Sequence, residues 1–188
     1  MMRRILMLVA VFAVFSVNLA EGGEQGFRGI EVVYTLNGQV VVKRFDIDVS
    51  LGKIVRIPVQ DMRGRIVWKR FLVGGSKVVS VSAYTSHRRQ TDRSPCIPAA
   101  GRPHRRAKAF NLCEHGREDV IAANFADFWT KMLGPSHEDP RYLRVYTVVD
   151  RMNRRYEDNV DIWMKSIRDA RQFGRVNDVT FLYLIPVD

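Results

Sequence analysis

Cysteine and histidine are scarce in this chain, with two and four residues among 188. His87, His104, His115 and His137 fall in no HExxH, HxH or CxxC-type spacing. The tight ligand clusters of a zinc site are therefore missing, and no metal or other cofactor is expected. No G-x-S-x-G elbow occurs, neither cysteine carries a catalytic flank, and there is no glycine-rich phosphate loop. The local signatures of nucleophilic hydrolases and nucleotide-binding enzymes are thus lacking. No Asn-x-Ser/Thr glycosylation acceptor is found, and no run after residue 20 is apolar enough to span a bilayer.

What is present begins with a leader. Arg3 and Arg4 precede an apolar run from Ile5 to Val17, and Ala20 precedes Glu21-Gly22-Gly23. A basic start, a short apolar stretch and a small residue at the cut make a secretory signal peptide over 1–20. The run is too short for a spanning helix. The expected product is secreted, with no membrane attachment after cleavage, and comprises 21–188 as a single domain. Removing Arg3 and Arg4 takes the formal charge from +10 to +8. In an exported chain two cysteines favour a disulfide, here Cys96–Cys113. It would close a loop of 18 residues, worth roughly 3 kcal/mol in the chain-entropy account.

The charge is concentrated in the loop 87–113. Arg88, Arg89, Arg93, Arg102, Arg105, Arg106 and Lys108 stand there against Asp92 over His87–Lys108, a net +6. Pro95, Pro98 and Pro103 stiffen the segment by fixing φ, which lowers the entropy lost on binding. No aromatic residue is available for base stacking between His87 and Lys108, and export argues against DNA as the usual partner, so a nucleic acid is expected only under the enzymatic alternative below. These features suit contact with an acidic macromolecule. Arg88-Arg89 and Arg105-Arg106 are also dibasic pairs of the kind that processing proteases cut. An enzymatic alternative is a secreted ribonuclease, which needs a general base, a general acid and a cation for the phosphate. His115 and Glu114, with Arg117 two residues on, could supply these beside the loop arginines.

The hydropathy pattern reads as α+β: a mostly antiparallel sheet with two amphipathic helices on one face. Asn37-Gly38 between alternating apolar runs signals a tight hairpin. Its register would set Ile30 opposite Phe45, Tyr34 opposite Val41, and Glu31 opposite Arg44. Lys53–Val59, Arg65–Val73 and Ser76–Tyr84 continue an expected meander of about five strands, turning at 61–64 and at Gly74-Gly75. Pro58 marks the first of these as an edge strand or strand end. Ile121, Phe125, Phe128, Trp129 and Met132 recur at helical spacing, with Gly134-Pro135 as a stop. Val160, Trp163, Met164, Ile167 and Ala170 predict a second helix. Tyr142–Val149 and Val179–Ile185 read as strands, a parallel pair joined by that helix. Trp68, Trp129 and Trp163 are expected in the core.

An exported chain of this size with the leader Met1–Ala20, Cys96 and Cys113 resembles, at class level, the small secreted effector proteins of filamentous plant pathogens. The common effector signatures are not found: no Tyr-x-Cys follows the leader, and Arg141-Tyr142-Leu143-Arg144 lies far too late for a translocation motif. The resemblance implies virulence through binding or inhibiting a host extracellular protein, such as a protease, rather than catalysis. It assigns no functional residue.

Overall fold

A computed structural model describes residues 27–60, 65–88, 93–101 and 110–187. The leader, the turn at 61–64 and the loop residues Arg89, Arg102, His104, Arg105, Arg106 and Lys108 lie outside them. Nine strands carry the fold: β1 Ile30–Leu36, β2 Gln39–Phe45, β3 Ile54–Gln60, β4 Ile66–Tyr84, β5 Val120–Ala123, β6 Lys131–Pro135, β7 Leu143–Asp150, β8 Asn159–Trp163 and β9 Arg175–Val187. Two short helices, α1 Leu112–His115 and α2 Ile167–Phe173, complete it. Among the described residues strands make up 52% and helices 9%, and six of the strands close into a barrel. The α+β expectation of two helices packed on a sheet is therefore overturned.

Around the barrel the order is β7-β5-β8-β4-β9-β6, and β6 pairs back onto β7. The β5–β7 and β4–β8 pairs are parallel, and the other four are antiparallel. One buried cluster takes residues from every stave: Val79 and Val81, Ile121 and Ala123, Met132, Tyr146 and Val148, Val160 and Ile162, and Phe181. A second apolar cluster is formed by β1 and β3 against the other side of β4, β6, β7 and β9, with Ile30, Val32, Ile57, Phe71, Leu133, Val145 and Leu182 among its members. Side chains alternate across a strand, so one stave can serve two cores.

The first expected helix is instead β5, a turn and β6. Ile121 and Met132 do point into the same core, but from two different strands. Trp129 between them is 53% exposed and sits at φ 70 in the turn. Apolar spacing across a turn mimicked a helical period, while the continuous buried run Val120–Ala123 is what a strand packed on both faces looks like. In the second case Val160 and Trp163 belong to β8, and only Ile167–Phe173 is helical, capped by Ser166. β7 and β9 are not paired with each other, because β6 lies between them.

The five-strand meander also gives way. The β1–β2 hairpin has the register read from its sequence, Ile30↔Phe45, Glu31↔Arg44 and Tyr34↔Val41. β3 pairs only with β4, consistent with Pro58 at an edge. Gly74-Gly75 does not turn the chain. It lies inside β4, a single strand of 19 residues, at a register shift against β9. Small residues let a strand bend there at a bulge. The start of β4 and the end of β9 thereby run past the barrel and form, with β3, a three-stranded wing. Of the three tryptophans only Trp163 is in the core; Trp68 and Trp129 are about half exposed.

Gly134 is a second glycine that matters. It is buried in β6, and a Cβ there would run into the Phe181 ring. Gly134→Ala should lower the unfolding free energy by about 1–3 kcal/mol, as expected for overpacking. Chemical denaturation measures this, and the loss should shrink in a Phe181→Leu background, where the ring is gone.

Candidate functional site

The basic loop leaves the barrel at the end of β4 and returns at α1. Its departure is fixed by Met164 N–H donating to Tyr84 O (2.8 Å) and Trp163 Nε1 donating to Ser86 Oγ (3.0 Å). Cys96 and Cys113 are joined by a disulfide, and Leu112 N–H donates to Cys96 O alongside it (2.8 Å). Ala99 N–H donates to Asp150 Oδ1 (2.9 Å), which ties the 3-10 turn Ala99–Gly101 to the end of β7. Tyr84 OH donates to Asp150 Oδ2 (3.2 Å); burial, with Asp150 reinforcing it, holds the Tyr84 phenol neutral. Leu112, Val120, Val149 and Trp163 form a third apolar cluster, joined by Ala100 and Phe110. Both ends of the loop are thus built into the barrel wall.

The described cations of the loop, Arg88 and Arg93, are exposed, as is His87. Of the ribonuclease alternative, the His115 side chain lies outside what the structure describes, while Glu114 and Arg117 are placed differently. Glu114 is exposed on α1 and accepts from the capping residue Asn111. Arg117 is buried: its Nε donates to Asp119 Oδ1 (3.1 Å) and its Nη1 to Gln60 Oε1. It points into the protein, and a phosphate outside would have to displace Asp119 to reach it. Nearby, Lys131 Nζ donates to Thr147 Oγ1 (2.6 Å), and burial pushes its ammonium down to about 8, with Asp119 opposing the shift.

A polar network at one end of β7 was not anticipated. Parallel pairing sets Glu31 of β1 beside Arg144 of β7, and both side chains are essentially fully buried. Glu31 Oε1 accepts from Arg144 Nε (2.7 Å) and Ser136 Oγ (2.6 Å), while Oε2 accepts from Arg44 Nε (3.1 Å). Burial alone would raise the Glu31 carboxyl. The Ser136 hydrogen bond and the Arg144 charge outweigh it and hold the group below its usual range. Arg144 Nη1 reaches Glu118 O (3.3 Å) and lies 3.1 Å from His137 Nδ1. His137 Nε2 is 3.2 Å from Glu118 Oε2. The tautomer with hydrogen on Nε2 lets Arg144 donate to Nδ1 and Glu118 accept from Nε2.

Glu118, His137 and Glu138 could converge on a metal, since their ligand atoms all lie within 4.8 Å of one another. The Arg144 guanidinium already stands among them, with Nη2 3.1 Å from Glu138 Oε1. It supplies the positive charge that these groups need, so the cluster reads as a structural clamp between β1, β7 and the Ser136–Asp139 segment. The sequence does contain a signal for it. Arg144 sits inside an apolar strand, and a charge so placed requires a buried partner.

No protein-family model matches the chain, and a search of curated proteins finds no match to it. The class that the fold itself defines is a closed, six-stranded mixed β-barrel with one disulfide.

Breaking the clamp from one side should be costly, because it leaves a buried charge alone. Arg144→Met should lose about 3–5 kcal/mol, and adding Glu31→Leu should recover much of it. Because the Glu31 pKa is depressed, its contribution is fully present above pH 4.5 and fades as pH falls through the folded-state value. Unfolding free energies measured across that window should therefore fall more steeply for the native chain than for the double variant.

Proposed function

We propose that the chain is an exported binding protein that presents the basic 87–113 loop to an acidic site on a macromolecular partner. The observation that carries this reading is the way the loop is mounted. A disulfide, a backbone hydrogen bond beside it and the Asp150 contacts fix its base to the barrel wall. Arg88 and Arg93 are exposed in this segment, which carries seven cations in sequence. Tethering limits the entropy lost on association, and clustered charge of one sign speeds the encounter with an acidic surface. A stiffened loop of this kind also fits the cleft of a protease, and a host extracellular protein of that class is the partner this reading favours. Catalysis finds less support, because Arg117 is already committed to Asp119.

Reversing Arg102, Arg105 and Arg106 to Glu should abolish partner capture from host extracellular fluid and leave the fold intact by circular dichroism. With the captured partner identified, its affinity should drop by at least a hundredfold, on the order of 1–3 kcal/mol for each charge turned against its site. An unchanged affinity would overturn the proposal.

A further inference from the structure

The wing made by β3, the start of β4 and the end of β9 has two unlike faces. One face buries Val55, Ile57, Val59, Phe71 and Val73 in the apolar cluster beside the barrel. The other face is apolar as well and is open at its Ile54 end, while further along Pro58 is buried and Trp68 packs edge-on against Phe45. Ile54, Leu72 and Ile185 lie side by side across its three strands. Ile54 and Ile185 are each about half exposed, as are Trp68 on β4 and Leu51 just before β3. A contiguous exposed apolar face of this kind marks a surface that meets something.

The charges of this face are all of one sign. β3 and β4 contain no acidic residue, and β9 has none after Asp178. The next row of the face places Arg56 directly opposite Arg70. Like charges directly across a strand pair are destabilising. Among the described residues neither has a carboxylate partner; Arg56 instead lies over the Trp68 ring, 5.7 Å from its centroid. Of the acids between β2 and β3, Asp48 is engaged by Lys53.

We propose that this outer face of the wing docks peripherally on an anionic lipid bilayer. Branched aliphatics and a half-exposed tryptophan are the groups that settle at the headgroup boundary. Arginines beside them are drawn to anionic headgroups, which relieve the Arg56–Arg70 repulsion. An acidic protein would answer the arginines but not the aliphatic row, and a neutral apolar partner would leave the repulsion in place. The contact proposed is surface adsorption by a sheet face.

The test is sedimentation of the oxidised protein with vesicles of phosphatidylcholine mixed with phosphatidylglycerol, against vesicles of phosphatidylcholine alone. The native protein should pellet with the anionic vesicles and far less with the neutral ones. Arg56→Glu combined with Arg70→Glu should weaken binding about tenfold or more. Ile54→Ser, which leaves the charges untouched, should weaken it too and serves as a second probe should the double variant misfold. The variant with Arg102, Arg105 and Arg106 reversed to Glu should still bind vesicles, which separates this surface from the loop. Failure of the native protein to bind, equal binding to neutral vesicles, or binding lost through the loop variant but kept by both wing variants would each overturn the proposal.

Discussion

Closure of the barrel by β6 is the constraint on which the other parts depend. β7 and β9 run in the same direction, and β6 fits between them, antiparallel to both. Without this five-residue strand each would present an open edge of unpaired backbone groups, a costly and aggregation-prone arrangement. The fit is close, because Gly134 leaves room for the Phe181 ring that fills the barrel beside Tyr146. Once the ring of strands is closed, its outer wall becomes a fixed platform. β1 and β3 pack against that wall through a second core, and the disulfide segment packs through a third.

Charge is distributed on this platform in a way that separates structure from contact. The charges between the layers have partners: Glu31 has Arg144, Asp119 has Arg117, and Glu118 has the His137 hydrogen bond with the Arg144 charge nearby. Burying such groups is tolerable only when each has partners. The surplus of positive charge is left for the periphery. Part of it is gathered in the loop held by Cys96–Cys113, and another part lies on the wing among exposed aliphatic side chains. These two cationic surfaces differ in chemistry, the first almost purely ionic and the second amphipathic, which is why they are assigned different partners.

Local signals in the sequence match the structure where the structure is local. Asn37-Gly38 specified the hairpin and its pairing residue by residue, down to Glu31 opposite Arg44. Cys96 and Cys113 specified the staple. The alternation of Val79 and Val81 with Ser80 and Ser82 identified a core-facing strand. Long-range closure left no such mark. Ile121 to Met132 fell at helical spacing by the accident of two strands and a turn, and Gly74-Gly75 looks the same at a bulge as at a turn. The Glu31–Arg144 contact joins residues 113 positions apart through a parallel pairing of two residues. Only the presence of an arginine within an apolar strand hinted that such a partner was needed.

Amide hydrogen exchange on the native, oxidised protein tests the closed barrel most directly. Strands paired on both sides exchange only through large-scale opening, whereas edge strands exchange through local fraying. The account predicts that the amides of Met132 and Leu133 in β6 are protected as strongly as those of β7 and β9, while β2, an edge strand, exchanges far faster. Rapid exchange throughout β6, with β7 and β9 behaving as separate edges, would contradict closure and with it the platform on which both cationic surfaces are built.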